Sequence, residues 1–396
     1  MLTPNVLMLA WEYPPRIIGG LAPHVYELSR ALVKKKIEVH VATCDFPGAK
    51  SYEEVDGVIV HRIDSYSSPT PDFATWVAMM NVNLQREIAR IITSNDINLL
   101  HAHDWLVASA SIGLKHMFRI PLVATIHSTE YGRRNGVHND YQRMISSTEG
   151  WLTREAWRII CCSRYMANEI HSILTIPETR IDIIPNGINT ALYKTPINLE
   201  ELRSGFAQPY EKLVLFVGRL VQEKGVSTIV EAAPLLQGLN IKIIIVGEGY
   251  LKEELIRRVN ELGLSDKVFV TGFLDGETIR GLFRVADVCL IPSIYEPFGI
   301  VALEAMAGGS PIVTSGSGGL GEILDHDRTA IFVYTNPESL AWGIRKMLTD
   351  QKYADNLRKE ASKRVKSYEW GAIATSTIGT YMRTMLEYNE GKWKPF

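Results

Sequence analysis

The chain contains few cysteines, and their spacing is not that of a metal site. All four, Cys44, Cys161, Cys162 and Cys289, lie in or beside apolar runs of the 396 residues. Cysteines of this kind are typical of buried structural thiols in a reducing compartment. We therefore predict four buried thiols that neither ligate a metal nor react.

An excess of charge is also missing, as is any long apolar run. Lys and Arg number 42 against 44 Asp and Glu, a net charge of −2, so no basic field attracts nucleic acid. The first residues show no secretory pattern, and no apolar run approaches the roughly 18 residues that a membrane span needs. We expect a cytoplasmic protein with no nucleic-acid partner and no integral membrane segment, and an oligomer is possible.

Dinucleotide-binding and metal-binding signatures are absent too. No G-x-G-x-x-G follows the first apolar strand, and VGEG at 246–249 lacks both the third glycine and the later ribose-binding acid. This disfavours an ordinary dinucleotide oxidoreductase. No DxD-like cluster follows a strand either, so the sequence offers no evident Mg²⁺ ligands, and we expect neither a metal nor a cofactor.

Two series of alternating strands and helices are present. The first runs from NVLMLA to RIDIIPN and the second from KLVLFVGR to TAIFVY, with amphipathic stretches between most strands. Such alternation predicts an α/β fold with two doubly wound, mainly parallel sheets. We place the domains at 1–195 and 196–369, and interpret the Pro-, Asn- and Gly-rich segment near the boundary as linker and edge material. The last helix, from about Trp370, has no strand to follow it.

The stretch PSIYEPFGIVALEAMA, residues 292–307, indicates a strand, a turn and a helix. Its helix would begin with the amides of Phe298, Gly299 and Ile300. Such a start attracts phosphate through its free N–H groups and its dipole. Glu296 would lie at the mouth of the turn, and Glu304 about 8 Å further along the axis, where it could bind a ribose. As separate residues, a glutamate at a helix start and a solvent-facing glutamate would be unremarkable.

Other polar residues leave the carboxyl ends of predicted strands, where parallel sheets bind ligands. Gly19 and Gly20 follow the first strand and suit either a phosphate or a simple tight turn. Arg219 and Lys224, five residues apart in GRLVQEKG, could both reach one diphosphate or could be solvated surface charges.

Histidines mark two further strand ends. His101, His103 and Asp104 occur in HAHDW, and His127 closes LVATIH. Alternation turns His101 and His103 to the same face of their strand, so one of them could be structural. A lone histidine such as His127 could also be structural.

Taken together, these segments resemble the retaining glycosyltransferases of the GT-B fold, in the branch of glycogen, starch and sucrose synthases. EPFGIVALE resembles the signature of two glutamates separated by seven residues, and GRLVQEKG the diphosphate loop. EYPPRIIGG, HAHDW, His127 and SGSGGLGEIL match in order and spacing, so that the resemblance covers nearly the whole chain. It implies two Rossmann-like domains with the active site between them, and a last helix, 370–396, that packs on the first domain.

The resemblance also implies roles for individual residues. Arg219 and Lys224 would bind the donor diphosphate, Glu304 the ribose and Glu296 the sugar hydroxyls. The remaining donor contacts would come from Gly19, Gly20, Phe298, Gly299 and Ile300. Asp104 and His127 would face the transferred glucose.

The reaction implied is metal-independent transfer of a hexose, with retention, from a nucleotide-sugar such as ADP-glucose or UDP-glucose to a carbohydrate acceptor. We expect an α-1,4-glucan acceptor, as in glycogen synthases. The chain is, however, shorter than the classical bacterial enzymes and lacks a lysine in its first glycine loop. Transfer to a small sugar, sugar phosphate or lipid, an epimerase or hydrolase on the same fold, and a non-catalytic binding protein stay open as alternatives.

Overall fold

The structure, a computed structural model, describes residues 3–65 and 68–391. The chain divides into two compact units. Unit 1 comprises Met1–Gly187 and Trp370–Phe396, and unit 2 comprises Ile188–Glu369. Each unit has its own sheet and helices, as the α/β alternation predicts.

The strands and helices fall close to the segments that the sequence indicates. The strands are β1 (Asn5–Leu9), β2 (Glu38–Cys44), β3 (Tyr52–Val55), β4 (Val58–Ile63), β5 (Leu99–His103), β6 (Leu122–Ile126), β7 (Arg158–Cys161), β8 (Ile181–Ile183), β9 (Lys212–Val217), β10 (Ile241–Val246), β11 (Val268–Gly272), β12 (Val288–Ile291), β13 (Ile312–Thr314) and β14 (Ile331–Phe332). The helices are α1 (Leu21–Lys34), α2 (Phe73–Ser94), α3 (Ala108–Phe118), α4 (Glu130–Arg134), α5 (Asp140–Glu155), α6 (Arg164–Leu174), α7 (Leu199–Ser204), α8 (Val226–Ala232), α9 (Lys252–Glu261), α10 (Gly276–Val285), α11 (Ile300–Gly308), α12 (Leu320–Ile323), α13 (Pro337–Thr349), α14 (Gln351–Arg364) and α15 (Trp370–Asn389).

The sheet of unit 1 has eight strands in the order β3-β4-β2-β1-β5-β6-β7-β8. All neighbours pair in parallel except β3, which is antiparallel to β4 at the edge. Strand β3 was not predicted, because YEEV is polar and its residues lie only half-buried or exposed. The central order places the carboxyl ends of β1, β5 and β6 side by side, and these ends lead to the glycine loop, to HAHDW and to His127.

Helix α15 belongs to the core of unit 1. Trp370, Ile373, Tyr381 and Met385 are buried in one apolar cluster with β1 and α1. A Cβ on Gly187 would lie 2.4 Å from a ring carbon of Trp370, so only glycine permits this close approach. The helix is thus fixed by packing that its sequence pattern could not assign.

Unit 2 has six strands, all parallel, in the order β11-β10-β9-β12-β13-β14. The boundary segment that we interpreted as linker contributes to this unit, since α7 packs on α10 and Tyr193 is buried. All four cysteines are buried, as predicted. Among the described residues, no helix is long and apolar enough to cross a membrane.

Candidate active site

The turn after β12 in unit 2 presents an uncapped helix start. Gly299 is the N-cap of α11 with a φ of 104°, and no side chain in the described part of the chain caps the helix. A Cβ at Gly299 would also lie 2.5 Å from Leu320, so both the conformation and the space require glycine. The first-turn N–H groups, including that of Ile300, therefore have no side-chain acceptor and are suited to an anion.

Lys224 lies against this turn and forms an ion pair that the sequence analysis did not foresee. Its Nζ is 2.6 Å from Oε2 of Glu296, which also accepts a hydrogen bond of 3.2 Å from the Ser293 hydroxyl. The two side chains are 21% and 9% exposed. Gly225 permits the approach, because a Cβ there would lie 2.1 Å from the carbonyl oxygen of Pro292.

Arg219 is held more loosely at the start of the same loop. Its guanidinium is 3.3 Å from Glu223 Oε1, and the arginine side chain is 53% exposed. Because β9 and β12 are neighbouring parallel strands, both predicted cations leave the sheet beside the Glu296 turn. An exposed arginine with a weak partner can move to an incoming ligand at little cost.

Glu304 lies in α11 and is half-buried, with its carboxyl bonded to Tyr193, so it is not a purely solvent-facing residue. Burial raises the pKa of its carboxyl to about 7, and the hydroxyl of Tyr193 and the charge of Arg280 oppose that rise. Tyr193 donates to Oε1 at 3.3 Å. Tyr193 was not predicted, because its Pro- and Asn-rich segment has the composition of a linker.

The glycine loop of unit 1 is folded around Glu12, a second residue that the sequence analysis missed. The Glu12 side chain is fully buried. Its carboxylate accepts hydrogen bonds from the backbone N–H groups of Ile18 (2.6 Å), Gly19 (3.2 Å) and Ala22 (3.2 Å). The amide of Gly19 is therefore engaged within the loop. Gly20 is the N-cap of α1 and has no side chain to cap the helix, so Glu12 takes that part at the first-turn amide of Ala22. Burial raises the pKa of Glu12, and the three hydrogen bonds oppose the rise.

Asp104 and His127 meet at the carboxyl ends of β5 and β6. Oδ1 of Asp104 accepts the backbone N–H of His127 at 2.8 Å. Burial raises the pKa of Asp104 to about 6 and lowers that of His127 to about 4. His127 is half-buried, and its Nε2 lies 3.3 Å from Nδ1 of His103.

His101 and His103 point to the same side of β5, as alternation predicts, but their surroundings differ. His101 is bonded at both ring nitrogens, to the Tyr381 hydroxyl and to the Thr125 hydroxyl, each at 2.7 Å. It is thus the structural member of the pair. His103 instead faces His127 and a third histidine, His24 of α1, with ring centroids 5.6 Å away in both cases. His24 was not predicted, since it occupies an ordinary buried position on an amphipathic helix.

Comparison with protein families gives two matches that together cover most of the chain. The model of glycosyltransferase family 4 matches residues 18–192, and the model of glycosyl transferases group 1 matches residues 200–364.

Curated relatives match over nearly their whole length. An uncharacterized glycosyltransferase of Methanocaldococcus jannaschii is 39% identical over 388 residues, which is 96% of this chain and 98% of the relative. A glycogen synthase of Mycobacterium tuberculosis is 35% identical over 397 residues, covering 96% and 94% of the two chains.

Solved structures share the fold at lower identity. A sucrose-phosphate synthase from Thermosynechococcus elongatus superposes with a TM-score of 0.84 at 24% identity, covering 97% of this chain and 100% of the other. HepE of Anabaena, in complex with UDP-glucose, gives a TM-score of 0.79 at 20% identity over 96% and 99% of the chains. The GT-B fold expected from the sequence is thereby confirmed.

Proposed function

Because this chain belongs to the group 1 glycosyl transferases and has the GT-B fold, we propose that it is a retaining hexosyltransferase. It transfers glucose from ADP-glucose or UDP-glucose to an acceptor hydroxyl of an α-1,4-glucan. The 35% identity to a glycogen synthase supports this acceptor, and the fold shared with a UDP-glucose complex supports the donor class.

The observation that carries the proposal is the contact of Lys224 with Glu296 beside the uncapped start of α11. A donor needs positive charge at its diphosphate and hydrogen-bond acceptors at its sugar hydroxyls. Here a cation, free helix amides and a carboxylate of low exposure lie within one turn. This is the arrangement that a phosphate linked directly to a sugar requires.

The residue roles are part of the proposal. Lys224 and Arg219 bind the diphosphate together with the amides of Phe298, Gly299 and Ile300. Glu296 accepts hydrogen bonds from the transferred sugar, and Glu304 accepts them from the ribose. In unit 1, Gly20 offers its amide to the donor, and Asp104 and His127 contact the transferred sugar.

The reaction breaks the bond between the anomeric carbon and the diphosphate oxygen and forms a bond from that carbon to the acceptor oxygen. The acceptor proton passes to the departing phosphate. Attack on the same face as departure retains the configuration without a carboxylate nucleophile, which retaining glycosidases use. Trapping of a covalent glycosyl-enzyme would refute this route.

Two cations and a helix start supply the charge that stabilises the leaving diphosphate. The proposed transfer is for this reason independent of a divalent metal. Turnover should persist in EDTA, and a requirement for Mg²⁺ would contradict this part of the proposal.

A donor and acceptor screen tests the function. Release of nucleoside diphosphate is measured from ADP-, UDP- and GDP-sugars with glycogen, maltose, glucose 6-phosphate and fructose. The proposal expects release that depends on the glucan and on a glucose donor. Release without any acceptor would favour a hydrolase, and dependence on a small sugar or sugar phosphate would move the acceptor to that class.

Two variants with matched controls test the proposed donor site in unit 2. Glu304→Ala should weaken donor binding, and Lys224→Ala should lower turnover. Glu360→Ala and Lys346→Ala remove like charges from exposed helix pairs of the same unit and should leave both unchanged. Wild-type behaviour of both site variants would refute the assignment.

A further inference from the structure

Three histidines of unit 1 converge on one point. One ring nitrogen each of His24, His103 and His127 can be chosen so that all three lie within 4.8 Å of one another. They come from α1, from the end of β5 and from the residue after β6, so the sheet order brings them together. Among the described residues, no other group of three or more metal-ligating side chains lies so close.

Two of these side chains are buried without satisfying their ring nitrogens. His24 is 6% exposed and His103 is fully buried. Within residues 3–65 and 68–391, no group makes a hydrogen bond to either nitrogen of His24 or to Nε2 of His103. The side chain of Asn186 lies near His24, without the geometry of a hydrogen bond. A buried polar atom without a partner costs about 1–3 kcal/mol, so three together need an explanation.

His101 differs from His24 and His103 in its hydrogen bonds. That histidine is on the same strand and equally buried, yet both of its nitrogens are bonded. The packing of unit 1 can therefore satisfy a buried imidazole, and among the described residues it leaves both nitrogens of His24 available instead.

We infer that His24, His103 and His127 form a three-imidazole site for Zn²⁺. Imidazole nitrogen suits Zn²⁺ and its transition-metal neighbours, whereas Mg²⁺ prefers oxygen. Tetrahedral ligation at about 2.05 Å places two nitrogens about 3.3 Å apart. Nδ1 of His103 and Nε2 of His127 lie at this separation. These two nitrogens would therefore face the ion, and the unsatisfied Nε2 of His103 would not be a ligand. The three nitrogens lie within 4.8 Å of one another, so His24 has to move by up to about 1.5 Å to complete the set.

The half-buried ring of His127 gives the ion a way in from solvent. The fourth position of a three-histidine zinc site stays open to water or to an oxygen of a ligand. The carboxylate of Asp104, bonded to the backbone of His127, supplies negative charge close by.

The consequence for activity rests on the proposed function, whereas metal binding does not. A His127 side chain that is bound to Zn²⁺ can no longer contact the transferred sugar. Zn²⁺ therefore inhibits transfer. The chelated enzyme recovers, and Mg²⁺ has no effect.

The experiment measures metal binding on the full chain without donor or acceptor. Zn²⁺ is titrated in competition with a chromophoric chelator, and Co²⁺ is used for its absorption spectrum. We expect one Zn²⁺ per chain, and a tetrahedral Co²⁺ spectrum without thiolate charge-transfer bands. Affinity should fall by at least about 100-fold in His24→Gln, since the loss of a ligand exceeds the effect of an outer partner.

His61→Gln is the matched control, because it removes a histidine from the separate His40–His61 pair of the same unit. It should bind Zn²⁺ as the wild type does. His127→Gln, at a more exposed position, repeats the test if His24→Gln does not fold. Equal zinc affinity in wild type and His127→Gln, an octahedral Co²⁺ spectrum, or no stoichiometric binding would overturn the site. Absence of transfer by the metal-free enzyme would instead overturn the proposed function.

Discussion

Replacing Glu296 with glutamine should change two ligands in opposite directions. In the free protein the carboxylate holds Lys224 at 2.6 Å, so a diphosphate has to compete for that cation. Glu296→Gln releases the lysine and removes a negative charge beside the anion. Nucleoside diphosphate should therefore bind more tightly, whereas turnover of the nucleotide-sugar should fall because the sugar loses its carboxylate acceptor.

The magnitude follows from the geometry of the pair. At 2.6 Å and an effective dielectric constant of about 20, the gross attraction is about 6 kcal/mol. Desolvation of two largely buried groups offsets most of this. Exposed pairs retain about 0.2–1 kcal/mol, and this less exposed pair should retain about 1.5 kcal/mol. Release of Lys224 should then tighten diphosphate binding by about tenfold.

Isothermal titration of ADP and UDP measures the effect. Glu223→Gln is the control, since it frees Arg219 and removes the same charge from the same loop. That pair is longer and its arginine is exposed, so the expected gain is no more than about twofold. Unchanged or weaker diphosphate binding in Glu296→Gln would show that Lys224 does not leave Glu296 for the ligand, and the reasoning would fail.

Three further predictions concern buried acids and their partners. Burial raises the pKa of Glu304 to about 7 in the folded protein. Protonation of Glu304 therefore stabilises the ligand-free fold at low pH, and this stabilisation is lost as the pH rises from about 4.5 through 7. Urea unfolding should show a decline of at most about 3 kcal/mol, reduced by partial exposure and absent in Glu304→Gln. Tyr193→Phe removes the hydroxyl that favours the ionised form of the Glu304 carboxylate. The midpoint of this decline should therefore move up by about one pH unit. An unchanged midpoint would exclude the hydrogen bond between Tyr193 and Glu304. Glu12→Ala leaves three loop amides without their acceptor, so hydrogen exchange at these amides should accelerate strongly, whereas Glu12→Gln should restore part of the protection.

The sequence was sufficient for the elements that local pattern controls. Apolar runs with helical stretches between them predict buried parallel strands, and each predicted run contains a strand. The additional strand β3 was not predicted, because it has no buried face and therefore no hydrophobic alternation to detect. The sequence also predicted which residues lie at the carboxyl ends of strands, because the direction of parallel strands fixes the edge of the sheet at which each strand ends. These residues are Arg219, Lys224, Asp104 and His127.

Contacts between residues far apart in the chain could not be predicted from local sequence pattern. Tyr193 reaches Glu304 across 111 positions, and His101 meets Tyr381 across 280. The sequence around a buried histidine in α1 is the same whether or not its ring nitrogens have hydrogen-bond partners. His24 could therefore not be identified from the sequence as a candidate ligand. Glu12 resembles any acid in a proline-rich loop until three amides are seen to converge on it.

The sequence by itself determined the fold class, the order of the strands along the chain and the turn that carries Glu296 and Glu304, because each depends on residues close together in the chain. Only the tertiary structure decided that Lys224 pairs with Glu296 and that three histidines face one another. The physical reason is that sheet order and side-chain burial, which set charge partners and unsatisfied nitrogens, arise from packing between segments far apart in sequence.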